Sequence, residues 1–252
     1  MQPMPDSRLH LAKQAVRLAA LSVLLAPLFG CQTIASSNAS VSQVRIIDAS
    51  PDAPGLDIYQ NTSVVAYNMG FGTITSYVPI TPGIYTISAD TAGSRQVFSS
   101  SKATFGANQQ RTVLIGNIAT SLETLVLLDQ SSPAPSGEVS VRIIDQATRL
   151  GGVDVYLVPD GQKITAVNPL VTNVSFSTNT GYLNIPTGSY TLVLLPTGTV
   201  PTVTTVAAYT GADITYPAGS ARTVILLDQI LLNNPGFQVI IADDYDSPSS
   251  TS

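Results

Sequence analysis

Few residues in this chain could carry bond-making chemistry, and they are unevenly placed. The one histidine, His10, and the one cysteine, Cys31, both lie in the first 31 of 252 residues, and tryptophan is absent. Beyond residue 31 there is no imidazole or thiol, which excludes Ser-His-Asp and Cys-His nucleophilic machinery and ordinary zinc sites there. No glycine-rich phosphate loop or dinucleotide fingerprint joins a strand to a helix. Carboxylates are what is left. Asp48, Asp52 and Asp57 flank one Pro-rich loop and could offer oxygens to Ca²⁺, which takes about six to eight. Their spacing is not that of an EF-hand loop. The favoured reading is structural: these aspartates cap turns, or pair with Arg45 and Arg142 on neighbouring strands. A glycosidase needs two carboxyl groups about 5 to 9.5 Å apart, and the two glutamates, Glu123 and Glu138, stand on either side of a Pro-rich joint. Asp243, Asp244 and Asp246 read as a solvated terminus. No catalytic residue, metal or cofactor is expected, and a carboxylate-dependent hydrolase acting on an envelope or extracellular polymer is the alternative.

Cys31 has a different context. Arg8, Lys13 and Arg17 precede an apolar run, Leu18 to Phe29, followed by Gly30 and Cys31. That order is the plan of a secretory signal, and the run is too short to span a bilayer of roughly 30 Å. Leu28-Phe29-Gly30-Cys31 resembles the lipobox of bacterial lipoproteins, which implies lipid on Cys31 and cleavage before it. Two or three acyl chains hold a protein stably where one does so marginally. Gln32, where an aspartate would favour inner-membrane retention by the same resemblance, points to the outer membrane. Residues 1–30 are then the signal peptide, and 31–40 the lipidated cysteine with a polar tether.

Losing Arg8, Lys13, Arg17 and Asp6 reduces eleven basic and sixteen acidic residues to eight and fifteen, a formal charge of −7. Such a chain is a poor nucleic-acid partner, since that affinity comes mostly from Lys and Arg on phosphates. The expected partners are the membrane, through the lipid, and an envelope glycan or protein.

The elements that position these residues are legible because the chain repeats itself. Val44-Arg45-Ile46-Ile47-Asp48 recurs as Val141-Arg142-Ile143-Ile144-Asp145, and Leu56-Asp57-Ile58-Tyr59 as Val153-Asp154-Val155-Tyr156, both 97 residues on. Tyr77, Ile80, Gly83 and Tyr85 match Tyr182, Ile185, Gly188 and Tyr190 at 105, and Arg111-Thr112-Val113 matches Arg222-Thr223-Val224 at 111. The second copy thus carries insertions, which belong in loops. Where Asp52 stands in the first copy, the second has Arg149, a cation in place of a metal ligand.

Within each copy the apolar period is two: Val44 and Ile46, or Val139, Val141 and Ile143, share one strand face while Arg45 and Arg142 take the other. Expected strands include Val153 to Val158, paired as a hairpin with Lys163 to Val167, then Tyr182 to Ile185, Tyr190 to Leu195, Thr202 to Ala207 and Arg222 to Leu227. No stretch after residue 31 keeps helical spacing. Tyr85 and Tyr190, each after a Pro- and Gly-containing turn, are expected to bury a ring and bond the hydroxyl to backbone. The fold class is all-β: two tandem immunoglobulin-like (or prealbumin-like) β-sandwiches over 41–130 and 139–244. A Pro/Ser linker over 131–138 is read as an extended, semi-rigid spacer, and 245–252 as a disordered tail. Loose candidates for ligand contact are the loops Asn61 to Ser63 and Asn168 to Thr172.

The opening motif, Val44 to Asp48 followed by Ala49-Ser50-Pro51-Asp52-Ala53-Pro54 and Leu56-Asp57-Ile58-Tyr59, resembles a bacterial family catalogued as a domain of unknown function, 4397. The resemblance implies tandem envelope-associated sandwiches and no assigned chemistry. This chain departs from the family in carrying Asp48 and Asp145 where a histidine is usual, and in replacing the Ser-Pro-Asp-Ala-Pro turn by Ala147-Thr148-Arg149-Leu150-Gly151 in the second copy.

Overall fold

Alternation of apolar and polar residues makes strands throughout the computed structural model, which describes residues 40–229 and 236–246. The expected signal peptide, Cys31, most of the expected tether and the end of the expected tail lie outside the described residues. The first half contributes β1 (Ser42–Asp48), β2 (Leu56–Gln60), β3 (Ser63–Met69), β4 (Val78–Ile80), β5 (Gly83–Thr91), β6 (Val97–Phe105), β7 (Gln110–Gly116) and β8 (Glu123–Leu128). They form two sheets, ordered β4-β1-β7-β8 and β3-β2-β5-β6. The second half contributes β9 (Glu138–Asp145), β10 (Val153–Pro159), β11 (Val171–Val174), β12 (Asn179–Pro186), β13 (Gly188–Pro196), β14 (Tyr209–Tyr216), β15 (Ala221–Asp228) and β16 (Phe237–Tyr245). Their sheets, β12-β9-β15-β16 and β11-β10-β13-β14, repeat the same order. In each half the first and seventh strands pair in parallel, β1 with β7 and β9 with β15. Eight strands in this order do not follow the seven-stranded immunoglobulin plan; of the two sandwich types expected, the topology is the prealbumin-like one.

The pleat of β1 and β9 divides the core into layers. Val44 and Ile46 pack with Leu56, Ile58, Ile87 and Val113 between the two sheets of the first sandwich. Val139, Val141 and Ile143 do the same with Val155, Leu194 and Val224 in the second. Residues of opposite parity, Ile47, Leu114, Ile144, Ile225 and Leu227, form a third apolar layer that joins the sandwiches. Each such side chain contributes on the order of 1.5–3 kcal/mol when fully buried. Strands β1, β7, β9 and β15 are therefore covered on both faces, which explains near-continuous runs such as Val113-Leu114-Ile115 and Val224-Ile225-Leu226-Leu227.

This third layer corrects the linker expectation. The segment after β8 does not hold the sandwiches apart: Ala134 is buried, its N–H donates to the Gly219 carbonyl at 3.1 Å, and the Gly137 carbonyl accepts from the Thr187 N–H at 3.0 Å. Apolar area between the sheets outweighs the stiffness of two prolines. Of the expected tail, Tyr245 is instead the last residue of β16.

Two expected strands are not strands. Lys163 to Val167 contains a short 3₁₀ turn, with Ile164 and Val167 packed on Tyr156, Val158, Val193 and Leu195 across the outer sheet face. The partner of β10 on that side is β11. Thr202 to Ala207 is a loop in which threonines satisfy one another locally: the Thr202 N–H donates to the Thr205 hydroxyl at 2.8 Å, and such bonds compete with ladder pairing.

The corner tyrosines behave as expected. The Tyr85 hydroxyl donates to the Thr81 carbonyl at 2.9 Å and the Tyr190 hydroxyl to the Pro186 carbonyl at 2.8 Å. Tyr85→Phe and Tyr190→Phe should each cost about 0.5–1.5 kcal/mol in urea unfolding. The Tyr190 change should cost more, since that ring is buried and the Tyr85 ring only half-buried.

Candidate functional site

The three aspartates singled out in the sequence serve three separate local purposes. Asp48 ends β1 with its side chain fully buried; one oxygen accepts the Ser50 N–H at 3.0 Å and the other has no protein partner. Burial pushes this carboxyl up to about 6, against the opposing pull of the Ser50 N–H. Asp52 accepts the Ala119 N–H at 2.8 Å. Asp57 accepts the N–H groups of Asn68 at 2.8 Å and Gly93 at 3.0 Å, both of which have positive φ, so one side chain pins an irregularity within β3 and the turn after β5. The second copy repeats this: Asp145 accepts the Ala147 N–H at 2.7 Å, and Asp154 accepts those of Asn173 and Gly198, each at 2.9 Å. Arg149 instead pairs with Asp228 at 3.6 Å. Among the described residues no three acidic, His or Cys side chains group as a metal site.

The loop candidates are likewise occupied by their own sheets. Asn61 makes the tight β2–β3 turn, exchanging bonds with the Thr86 backbone at 2.8 and 3.0 Å. Asn168 to Thr172 leads into β11, and Leu170 donates its N–H to the Val155 carbonyl at 2.7 Å.

The structure does assemble a polar centre between the sandwiches. Arg45 projects from β1 and Arg142 from β9 on the faces opposite their cores. Arg45 Nε donates to the Thr112 hydroxyl at 2.7 Å, and Nη2 pairs with Asp244. Arg142 Nε donates to the Thr223 hydroxyl at 3.0 Å, and Nη2 pairs with Asp129 at 2.6 Å. Each arginine thus reaches the other sandwich's aspartate. Asp129 also accepts the hydroxyls of Thr112 at 2.6 Å and Tyr77 at 2.8 Å; Asp244 accepts those of Thr223 at 2.6 Å and Tyr182 at 2.8 Å. The guanidinium of Arg45 lies 4.8 Å from the Tyr77 ring centroid, and that of Arg142 4.7 Å from the Tyr182 ring.

Electrostatics follow from the burial. Desolvation pushes the Asp244 carboxyl up, with Arg45 and the Thr223 hydroxyl pulling it back. Burial opposes the charge on Arg45, but Asp244, Tyr77 and Asp129 outweigh it and hold the guanidinium protonated. Burial also pushes Tyr77 and Tyr182 up, keeping both phenols as donors. The side chains of Asp129 and Asp244 have no solvent exposure and those of the arginines 2–3%. No substrate reaches these carboxylates, so the centre's chemistry is that of a joint, in which charges taken out of water are paid back by complete pairing. A groove of about 370 Å³ lies beside this centre, lined by Arg45, Thr75, Tyr77, Ile241 and Asp243.

Sequence comparison of the two copies supplies three of the four residue pairs in this centre, Arg45/Arg142, Tyr77/Tyr182 and Thr112/Thr223. It misses Asp129 and Asp244. Ladder register recovers them: Thr112 faces Leu127 and Thr223 faces Ala242, and each aspartate stands two residues beyond. The supposed solvated cluster is correspondingly corrected. Asp244 is buried, while Asp243 and Asp246 pair with Arg222.

Comparison with curated proteins finds no match. Among solved structures, the Bacillus anthracis TIE protein aligns at 13% identity and a TM-score of 0.22, over 75% of this chain and 34% of its own; the chain spans about a third of that protein's length. A streptococcal virulence factor described for alpha-glucan binding aligns at 11% identity and a TM-score of 0.22, over 61% of this chain and 80% of its own. A family model matches twice, over residues 42–156 and 157–252. The second match begins within β10, although β9 and β10 pair only within the second sandwich. With the repeated motif, the tandem sandwiches and both matches in hand, the chain belongs to the family described as domain of unknown function DUF4397.

Proposed function

We propose that this protein is a non-catalytic interaction module of the cell envelope, held to the outer membrane by lipid on Cys31. The observation that carries the non-catalytic reading is the commitment of its carboxylates. Asp48, Asp52 and Asp57 cap backbone N–H groups, and Asp129 and Asp244 are sealed against arginines. The anchor rests on Cys31 being the one thiol, at the junction of an apolar leader and a polar tether. Its partner is an envelope glycan or protein that docks on the outer faces or loops of the paired sandwiches.

Two measurements test this. Cys31→Ser should abolish lipid labelling and membrane retention while leaving the β-sheet circular dichroism unchanged; a variant that stays with the membrane refutes the anchor. Purified protein should bind an isolated cell-wall polysaccharide or envelope-protein fraction saturably. Absence of saturable binding to every fraction, or turnover of an envelope polymer that Asp→Asn changes abolish, refutes the interaction module.

A further inference from the structure

The joint between the sandwiches has a symmetry that a merely packed pair of domains does not need. Its principal ion pairs and hydrogen bonds recur with the copies exchanged. Arg45 reaches Asp244 as Arg142 reaches Asp129. Arg45 Nη1 donates to the Asp243 carbonyl at 2.9 Å, and Arg142 Nη1 to the Leu128 carbonyl at 3.1 Å, in each case the residue before the opposing aspartate. Thr112 and Tyr77 hold Asp129 as Thr223 and Tyr182 hold Asp244. The apolar layer follows the same rule, with Ile47 answering Ile144 and Leu114 answering Ile225. A surface that presents Arg and Asp to the Asp and Arg of its own equivalent is isologous, and its natural partner is itself.

We propose that this face is a self-pairing surface, so that each sandwich can pair with the same sandwich of a second copy of the chain. In such a pair Arg45 of one copy meets Asp129 of the other, twice over. Within one chain the short connection through 131–137 keeps the two faces at high local concentration, and the internal pair forms first. The single chain is then a closed pseudo-dimer whose joint opens toward a second copy whenever the internal match is spoiled and the self-match kept. This inference is independent of the envelope reading, because it concerns the joint alone.

The test uses the full chain and its mass in solution by light scattering over a dilution series. Exchanging the charges of one face, Arg142→Asp with Asp244→Arg, sets like charges against each other inside the chain but leaves both self-matches attractive. That variant should double in mass. Exchanging all four positions, by adding Arg45→Asp and Asp129→Arg, restores the internal match and should return the single-copy mass. Because exchanged buried charges can prevent folding, a neutral pair, Arg142→Gln with Asp244→Asn, is measured beside it. This pair removes the ion partners that Arg45 and Asp129 have across the joint while preserving their match to a second copy, and it should form a two-copy species on concentration. A discrete two-copy species from either two-position variant supports the proposal, and its absence from both overturns it.

Discussion

Asp129→Ala is expected to lower stability by about 3–5 kcal/mol, the cost of stranding one partner of a buried ion pair. The carboxylate takes three donors: Arg142 at 2.6 Å, Thr112 at 2.6 Å and Tyr77 at 2.8 Å. Arg142 and Thr112 are buried and have no water to turn to. Against a total of about 5–15 kcal/mol for a typical domain, a loss of that size moves the urea midpoint far. Asp244→Ala should cost a similar amount, since Arg45, Thr223 and Tyr182 depend on it in the same way. The two losses should not sum, because Arg45 Nη2 also lies 4.0 Å from Asp129 and contacting sites are coupled. Replacing both partners, Arg142→Met with Asp129→Leu, should recover most of the loss, since a buried pair contributes little net once the cost of removing it from water is counted. A loss below about 1 kcal/mol for both alanine variants would show that the apolar layer alone holds the joint.

Asp48→Asn is expected to stabilise the protein at pH 7.5 by on the order of 2–3 kcal/mol and to do almost nothing at pH 4. The carboxyl is pushed up to about 6 by burial, whereas in the unfolded chain it ionises near the ordinary value of about 3.9. Between those values the folded state holds a proton that the unfolded state has lost. Folding is therefore favoured more at low pH, and this contribution fades as pH rises through about 6. Asparagine keeps the acceptor for the Ser50 N–H and removes the charge that burial penalises. Asp145→Asn should show the same pH dependence, because burial pushes its carboxyl to about 6, opposed by the Ala147 N–H and aided by Asp228. Melting temperatures of wild type and both variants at the two pH values decide the matter, and an equal effect at both would rule out a raised carboxyl.

How much of this was legible in the sequence depends on the range of the interactions involved. The period-two alternation of Val44, Ile46 and Val139, Val141, Ile143 is local, and it settled the strands, the inward faces and the two copies. The corner tyrosines were legible for the same reason, since each hydroxyl reaches a carbonyl four residues back. Lys163 to Val167 and Thr202 to Ala207 alternate well enough to pass for strands, but whether a segment finds a free sheet edge is decided by other parts of the chain.

The sequence by itself determined the fold class, the duplication, the absence of imidazole and thiol beyond residue 31, and that Arg45 and Arg142 leave their cores on the opposite face. Tertiary structure alone decided what that face meets. Asp129 and Asp244 look like ordinary charges beside a Ser/Pro-rich linker and in an acidic tail, and nothing within a few residues of either names a partner. Their partners lie 13 and 199 residues away. Only the stacking of two sheets through a shared apolar layer removes water from all four charges at once, and that makes an unremarkable pair of arginines the joint of the molecule.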